Sequence, residues 1–315
     1  MMFATSTFRS GPIVRLLADV KQRRFGEKQE FVRRSESRRA ELLISLRERR
    51  DGLLKELLTP ELLPASSREI VTEVCFYAER CEWNWFDLCA MLACMPRAVV
   101  DGSIVQKLSV ATAVFQAFRM IDDVVDEHAD YKGEYLTLLG VCRDRDAANP
   151  AAAALLPAVL MLVRVAEGGN LDSWTMQQAH ATLYGALDES AGGCAGIDGY
   201  ERIVTGKMVS YGMLLFGPAL CVLEQSSRSS LEPFLESSFR VSQIANDLLD
   251  IDEDTARGQP NFWLLFDSVD SATDAFLRRF GELERLSQDV DPTFRSYSNL
   301  RVCDIAAYIA SILNV

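Results

Sequence analysis

Two acidic clusters hold the residues of this sequence that are best suited to chemistry. In the stretch 239–263, FRVSQIANDLLDIDEDTARGQPNFW, Asn246, Asp250 and Asp254 are spaced at i, i+4 and i+8. On an α-helix, residues at this spacing stack on one face. Three oxygen-bearing side chains on an otherwise apolar helix are costly unless a cation lies among them. Because oxygen donors without Cys or His suit Mg²⁺, the spacing predicts a magnesium site.

A calcium-binding loop is a competing interpretation of the same stretch, since DIDED places acids at alternate positions. It fails because Thr255 stands where that loop requires Gly, and Asn261 stands where it requires Glu. A polar helix face that binds nothing remains the structural alternative.

The other cluster lies earlier in the chain, in IDDVVDE, and contains Asp122, Asp123 and Asp126. Asp122 and Asp126 share a helix face, whereas Asp123 lies about 100° away. Carboxylates that stack near the C-terminal end of a helix are unfavourable, and a divalent cation would reverse this. We predict that the two clusters face each other across a helical pocket and hold Mg²⁺ and a diphosphate. A solvated helix end with scattered acids is the alternative.

A diphosphate also needs Arg or Lys donors, and aromatic faces lining a pocket could stabilise a carbocation by cation–π attraction. The candidate donors are Arg202 and Lys207, in YERIVTGK, and Arg257, which follows Asp254 by three positions. The candidate wall residues are aromatic and lie near the acidic clusters or the basic segment: Phe115, Phe118, Tyr211 and Phe239. Ordinary core packing is the alternative for each aromatic residue.

Composition narrows the possible partners of this 315-residue chain of net charge −12. Residues 1–50 hold 13 Lys/Arg and 6 Asp/Glu, a balance of +7, so the remainder carries −19. An acidic body argues against nucleic acid as a partner. No apolar run reaches the roughly 20 residues that a membrane-spanning helix needs. Eight cysteines without a CxxC pair or a secretory signal predict reduced thiols and a cytoplasmic location. A weak organellar transit peptide in the first 20 residues is the alternative.

Helical periodicity dominates the chain and predicts an all-α bundle with its site in the interior. A basic extension, 1–64, starts irregularly and then forms a charged helix over 14–58, with a break near Gly26. Pro60 and Pro64 mark a linker, so the main domain covers 65–315. The predicted helices of that domain are 67–94, 103–128, 151–167, 172–189, 198–224, 231–254, 262–280 and 300–313.

The two motifs resemble those of the class I isoprenoid synthases. IDDVVDE is similar to the first aspartate-rich motif of that superfamily, and NDLLDIDEDTARGQPN is similar to the second metal motif of microbial terpene synthases. Ala256-Arg257-Gly258 often follows that motif in the family, whereas Asp250 and Asp254 replace its usual Ser/Thr and Glu. The family's C-terminal Arg-Tyr pair has only Arg295-Ser-Tyr297 as a candidate.

Three related activities compete. Prenyl chain-elongating enzymes fit Asp250 better, but they carry a Gly-Gly-Lys-Arg motif and an arginine pair after the first aspartates, neither of which occurs here. Squalene and phytoene synthases share both motif patterns but are usually longer. We therefore expect a terpene synthase, with a prenyltransferase as the alternative and a non-catalytic helical interaction protein as the second alternative.

The resemblance implies a class I isoprenoid synthase-like helical bundle with a central active-site cavity. It implies three Mg²⁺ ions, with Mn²⁺ as a possible substitute, held by the two acidic clusters. It also implies a substrate such as geranyl, farnesyl or geranylgeranyl diphosphate, whose oxygens accept hydrogen bonds from Arg202, Lys207 and Arg257. A homodimer is a further expectation.

Overall fold

The computed structural model describes residues 8, 11–58, 83–131, 135–168, 173–190 and 196–315, and these are almost entirely helical. The predicted linker at Pro60 and Pro64, and with it the predicted domain boundary, lies outside the described residues. The described chain divides into two compact units. The first comprises Met1–Ser37, Gln178–Met213 and Leu220–Val315, and the second comprises Arg38–Gln177 and Leu214–Ala219.

Helix α1, Pro12–Leu57, is the long charged helix that the sequence predicts, and it supplies residues to both units. The predicted break near Gly26 is wrong, because the helix continues through it. A single glycine costs only about 1 kcal/mol in a helix, and neighbouring contacts hold this segment in place. The Arg24 guanidinium, 6% exposed, donates to Ser287 Oγ and Asn299 Oδ1, both at 2.8 Å.

The second unit is built around helix α3, Gly102–Val125, which is preceded by α2, Trp83–Cys94. Asp101 caps α3 by accepting hydrogen bonds from the backbone of Ser103 and Ile104. After α3 come a short antiparallel hairpin, β1 (Asp130–Tyr131) and β2 (Tyr135–Leu136), and then helices α4 (Leu138–Asp144) and α5 (Pro150–Glu167). The hairpin and α4 are not among the predicted elements.

Helix α5 packs on α3 through one small and apolar face, on which Ala154, Ala158, Met161 and Val165 are buried at helical spacing. Length and composition alone would let two described helical stretches cross a membrane, Pro150–Glu167 and Gly196–Leu220. Inside the protein, 72% of the apolar part of Gly196–Leu220 is buried, but only 28% of Pro150–Glu167 is buried. The absence of a spanning segment therefore stays a prediction.

The first unit contains most of helix α6, Ser173–Ser190, and the described chain after it except Leu214–Ala219. The elements that follow α6 are α7 (Gly196–Val204), a π-helical turn (Thr205–Val209), α8 (Ser210–Leu220), α9 (Gln225–Leu249), α10 (Ile251–Arg257), a 3₁₀ turn (Phe262–Leu265), α11 (Val269–Asp289), a second 3₁₀ turn (Pro292–Phe294) and α12 (Arg295–Leu313). Helix α9 is the centre of this unit and packs against both α11 and α12.

Two predicted helices of the first unit have different ends in the structure. The helix predicted at 231–254 is α9 and α10, which meet at Asp250, where the backbone turns to φ −98° and ψ 9°. The helix predicted at 262–280 starts later, because Ser268 and Ser271 form a reciprocal capping box that begins α11. Residues 262–265 form the separate 3₁₀ turn.

Candidate active site

The first acidic cluster, defined as Asp122, Asp123 and Asp126, ends helix α3 in the second unit. Asp122 is partly exposed, with 24% of its side chain accessible, and Asp126 is the half-buried C-cap. Asp123 is buried at 1% exposure and lies 3.2 Å from Arg119 Nη2. Its assignment as a metal ligand stays a prediction, since this carboxylate faces an arginine inside the protein.

Arg119 was not among the predicted site residues, although it precedes Asp122 by three positions and lies on the adjoining helix surface. Its Nη1 atom is 3.5 Å from Asp122 Oδ2, so one guanidinium contacts two of the three acids. Phe115 lies two turns and Phe118 one turn before Asp122 on its face, and they are buried at 4% and 6% exposure. The end of α3 therefore combines partly exposed carboxylates with an apolar surface below them.

The second acidic cluster, defined as Asn246, Asp250 and Asp254, spans the junction of α9 and α10 in the first unit. The helical hydrogen-bond ladder continues through the junction, with Asp250 N donating to Asn246 O at 3.0 Å and Asp254 N donating to Asp250 O at 2.9 Å. The three side chains are half-buried. Because the i to i−4 pattern survives the turn at Asp250, they stack on one face as the spacing predicts.

Two side chains from later elements bind this cluster. Tyr308 Oη, on α12, donates to Asn246 Oδ1 at 2.9 Å, and Asn261 Nδ2 donates to Asp254 Oδ2 at 2.8 Å. Burial raises the pKa of the Asp254 carboxyl to about 6; the hydrogen bond from Asn261 opposes this increase, and the negative charge of Asp250 adds to it. The cluster thus carries mutually repelling acids that a cation would stabilise.

Asp247, which lies inside the second motif, has a different environment from its neighbours. It is 3% exposed and accepts hydrogen bonds from Tyr200 Oη at 2.6 Å, Gln243 Nε2 at 2.6 Å and Phe262 N at 2.8 Å. Burial raises the pKa of Asp247 to about 7. Burial also raises the pKa of Tyr200 well above its usual value, and the Asp247 charge adds to this. Asp247 therefore ties α7 and the residues after α10 to α9.

The three predicted diphosphate donors each pair with an acid in the first unit. Lys207 lies in the π-helical turn, is 21% exposed, and places Nζ 2.5 Å from Glu189 Oε2. The other two side chains are more exposed, 63% for Arg202 and 46% for Arg257, and they pair with Asp188 and Glu253. Lys207 is the most enclosed of the three.

Lys207 also lies near the second acidic cluster. It lines a narrow pocket of the first unit together with Tyr200, Gln243 and Glu189. The charge of Glu189 contributes to the raised pKa of Asp254. A π-helical turn is often found at functional sites, which makes Lys207 the strongest of the predicted donors.

The remaining predicted wall residues, Tyr211 and Phe239, also belong to the first unit. Phe239 is 7% exposed and packs against Gly212, where a Cβ atom would lie 2.5 Å from the ring. Tyr211 is half-buried on α8. The guanidinium carbon of Arg301 lies 5.9 Å from the centroid of the Phe239 ring.

The Arg-Tyr candidate Arg295-Ser-Tyr297 lies away from the second acidic cluster. Tyr297 is fully buried and contacts Phe234, twelve positions before Asn246 on α9. Arg295 Nη2 donates to Val290 O. The tyrosine of α12 that reaches the cluster is Tyr308, eleven positions further on, and no sequence motif indicates it.

The donor chemistry of the two clusters fits Mg²⁺. Among the described residues, no three or more His, Cys, Asp or Glu side chains are grouped so that they could hold a metal ion by themselves. Mg²⁺, however, usually takes only one or two protein carboxylates and completes its shell with water and substrate phosphates. The second acidic cluster provides two carboxylates, Asp250 and Asp254, together with the amide oxygen of Asn246. The first provides two carboxylates, Asp122 and Asp126.

A groove of the second unit, about 410 Å³ in volume, lies away from the first acidic cluster. It lies between α1 and the start of α3, whereas Asp122 is about 25 Å further along α3 at 1.5 Å per residue. Its lining mixes three arginines and three acids with small and apolar residues: Arg38, Glu41, Leu42, Ser45, Glu48, Arg49, Arg97, Val100, Asp101, Gly102 and Val105. We assign no substrate to it.

Comparison with known proteins identifies the fold. Neither a protein-family model nor a curated protein matches the sequence. A polyprenyl synthase from Caulobacter crescentus CB15, solved in complex with calcium and isoprenyl diphosphate, matches with a TM-score of 0.57 over 89% of this chain and 97% of its own, at 12% identity. The protein has the all-α fold of a polyprenyl synthase.

A second solved structure, octaprenyl pyrophosphate synthase from Helicobacter pylori, matches at 13% identity over 90% of this chain and 99% of its own, with a TM-score of 0.47. The polyprenyl synthase fold confirms the predicted class I isoprenoid synthase-like bundle. At 12% identity this likeness establishes the fold alone.

Proposed function

We propose that the protein is an enzyme that ionises an allylic prenyl diphosphate with the help of divalent cations. The observation that carries the proposal is the stacked Asn246, Asp250 and Asp254 face, which continues through the junction of α9 and α10 in a chain with the polyprenyl synthase fold. The structural neighbour's complex with calcium and isoprenyl diphosphate supports the same class of ligand.

In this proposal the two acidic clusters hold Mg²⁺, with Asp122 and Asp126 in one and Asn246, Asp250 and Asp254 in the other. The bound cations supply Lewis-acid chemistry that neutralises the leaving diphosphate. Lys207 breaks its ion pair with Glu189 and donates hydrogen bonds to the diphosphate oxygens. Arg202 and Arg257 donate hydrogen bonds to the same group. The wall residues Phe115, Phe118, Tyr211 and Phe239 exclude water from the allylic cation.

Prenyl transfer to a second substrate is the finer reaction that we favour. It agrees with the polyprenyl synthase fold and with Asp250, which fits the motif of chain-elongating enzymes better than that of terpene synthases. Terpene synthesis from one substrate is the second candidate, and Ala256-Arg257-Gly258 is the observation that favours it. The homodimer and the cytoplasmic location stay predictions.

Product analysis separates these reactions. The purified protein is incubated with Mg²⁺ and geranyl, farnesyl or geranylgeranyl diphosphate, with and without isopentenyl diphosphate, and both diphosphate release and organic products are measured. A prenyltransferase gives longer prenyl diphosphates that depend on isopentenyl diphosphate, or a condensed product of two identical chains. A terpene synthase gives a hydrocarbon or alcohol without any second substrate.

The matched variants are Asp250→Asn and Asp252→Asn. Asp252 is an exposed acid on α10 that lies off the stacked face. We expect Asp250→Asn to lower diphosphate release by more than the roughly 10- to 100-fold that loss of an outer-shell partner of a metal costs, and Asp252→Asn to match wild type. Absence of diphosphate release from every substrate would overturn the proposal, and the protein would then be a helical interaction protein.

A further inference from the structure

Both polar atoms of the Asn261 side chain form hydrogen bonds, with partners in α9, in α10 and in the 3₁₀ turn that follows. It is 1% exposed and caps the 3₁₀ turn Phe262–Leu265, with Oδ1 accepting from Trp263 N at 3.0 Å. Its Nδ2 group donates to Asp247 O at 2.7 Å and to Asp254 Oδ2 at 2.8 Å. An amide has two N–H donors, so both are committed. One buried side chain therefore links the backbone of α9 to a carboxylate of α10.

The backbone around Asn261 is fixed by further contacts with α9. Phe262 N donates to Asp247 Oδ2 at 2.8 Å, and Trp263 Nε1 donates to Ile244 O at 2.8 Å. Trp263 is 1% exposed, and its ring centroid is 5.5 Å from that of Phe276. Because these groups are buried and hydrogen-bonded, Asn261 has no freedom to follow Asp254 if that side chain moves.

Helix α10 needs such a restraint. It has seven residues, begins at the turn of Asp250 and ends at Gly258, which adopts the left-handed φ of 69°. Helices this short are marginal on their own, so tertiary contacts must fix their direction. The hydrogen bond from Asn261 to Asp254 is such a contact, and it acts on the last member of the second acidic cluster.

We propose that Asn261 is a positioning residue for the second acidic cluster. By binding Oδ2 of Asp254 it fixes the orientation of this carboxylate and leaves Oδ1 to serve a divalent cation. Asn261 itself does not touch the cation or the substrate. The inference rests on the proposed function only in that Asp254 is taken to bind a cation.

The test uses Asn261→Ser in the full chain, with Mn²⁺ alone as the probe and its free signal followed by electron paramagnetic resonance. Serine is a preferred cap and keeps an oxygen for Trp263 N, but its single short hydroxyl cannot bridge Asp247 O and Asp254. We expect the dissociation constant for Mn²⁺ to rise by about 10- to 100-fold, the usual effect of removing an outer-shell partner. If Asn261→Ser does not fold, Asn261→Thr replaces it, because threonine also keeps a cap oxygen without the amide donors and adds no charge.

Asn299→Ser is the matched control. Asn299 is also a buried asparagine of the first unit, 5% exposed, and it accepts from Arg24 Nη1 at 2.8 Å and donates to Glu27 Oε2 at 2.6 Å. Its loss should lower the melting temperature in a similar way, because buried partners lose their hydrogen bonds. Mn²⁺ affinity should remain within about twofold of wild type, as expected for a residue with no link to the cluster.

A double-mutant cycle with Asp254→Asn separates positioning from general loosening. Once Asp254 has lost its charge, Asn261→Ser should weaken Mn²⁺ binding by no more than about twofold. Wild-type Mn²⁺ affinity in Asn261→Ser, or full multiplication of the two effects, would overturn the positioning role. Unchanged Mn²⁺ binding in Asp254→Asn itself would instead contradict the assignment of Asp254 in the proposed function.

Discussion

Asp247 and Asp254 are seven positions apart in the same motif, yet their surroundings assign them different tasks. Asp247 is 3% exposed and surrounded by three donors, so it holds secondary-structure elements together. Asp254 is half-buried and accepts one side-chain hydrogen bond, from Asn261. A carboxylate with remaining acceptor capacity next to other acids is the better cation ligand.

The raised pKa of Asp254 makes cation binding dependent on pH. A metal ligand must be deprotonated, and a carboxyl whose pKa is raised to about 6 is charged above that pH and neutral below it. We expect Mn²⁺ affinity to be constant above pH 7 and to fall roughly tenfold for each pH unit below 6. Titrations between pH 5 and 8 measure this. Asp254→Asn should bind weakly and with a shallower slope in that window, and a flat wild-type profile would contradict the prediction.

Glu189 forms an ion pair with Lys207, and under the proposed function it would compete with the diphosphate for that lysine. The two side chains are about one-fifth exposed, and a diphosphate that binds Lys207 must break their ion pair. Removing the Glu189 charge should therefore favour diphosphate. An ion pair of this exposure contributes at most about 1 kcal/mol, or roughly fivefold in affinity.

The measurement is binding of inorganic diphosphate with Mg²⁺ by calorimetry. Glu189→Gln should bind up to about fivefold more tightly, and Lys207→Met should bind more weakly, because a charge-assisted donor is lost. Glu282→Gln, which removes an exposed acid from α11, is the control and should match wild type. Weaker binding in Glu189→Gln would place Glu189 in the diphosphate site itself.

At the scale of elements, α6 meets the π-helical turn through two glycines. A Cβ atom on Gly185 would lie 2.6 Å from the carbonyl carbon of Gly206 and closer still to the backbone nitrogen of Lys207. Backbone atoms cannot move aside as a flexible side chain can. The approach therefore requires glycine at position 185, and it brings Glu189 on α6 next to Lys207.

We expect Gly185→Ala to destabilise the fold by about 1–3 kcal/mol or more, as overpacking does. Gly281→Ala is the matched control, since Gly281 lies in α11 with no atom within 4 Å of its Cβ position. It should stabilise the protein by about 0.5–1 kcal/mol through helix propensity. Urea denaturation of both variants measures the difference. Equal effects of the same sign would show that the two helices do not need this close approach.

The helices of this fold were largely predictable because their periodicity and their caps are local. Predicted 151–167 and observed Pro150–Glu167 agree to one residue. Helix α4 was not predicted because seven residues are too few to show a helical period. The turn at Asp250 was not predicted because acids at i and i+4 are equally typical of an uninterrupted helix. A two-residue strand pair leaves no detectable alternation.

The arrangement of the candidate site was predictable only where it depends on neighbours along a continuous helical backbone. Asn246, Asp250 and Asp254 stack as their spacing implies. The partners of Asp247, by contrast, come from positions up to 47 residues away, as Tyr200 does. Pairing across such separations follows from how helices pack, and a single sequence does not carry that information. Tyr308 was missed for the same reason.

At the scale of the whole molecule, the net charge disfavours binding of a diphosphate without cations. The chain carries a net charge of −12, and its basic excess lies in residues 1–50. Each compact unit contributes one acidic cluster, and an anion approaching either one would be repelled. Divalent ions at the clusters would change the sign of this interaction, so diphosphate and Mg²⁺ should bind with positive coupling.

We therefore expect Mg²⁺ and inorganic diphosphate together to stabilise the protein by more than the sum of their separate effects. At a ligand concentration of about 100 times the dissociation constant, binding adds roughly 2.7 kcal/mol to the free energy of unfolding. For a protein of this size that corresponds to an increase of about 5 °C in melting temperature. Differential scanning fluorimetry with Mg²⁺, with diphosphate, with both, and with both plus excess EDTA measures this shift in melting temperature.

Asp122→Asn and Asp254→Asn should each reduce the shift and Asp252→Asn should keep it, because Asp252 is exposed and off the stacked face. An equal shift from diphosphate in EDTA would mean that the anion binds basic residues without the acidic clusters.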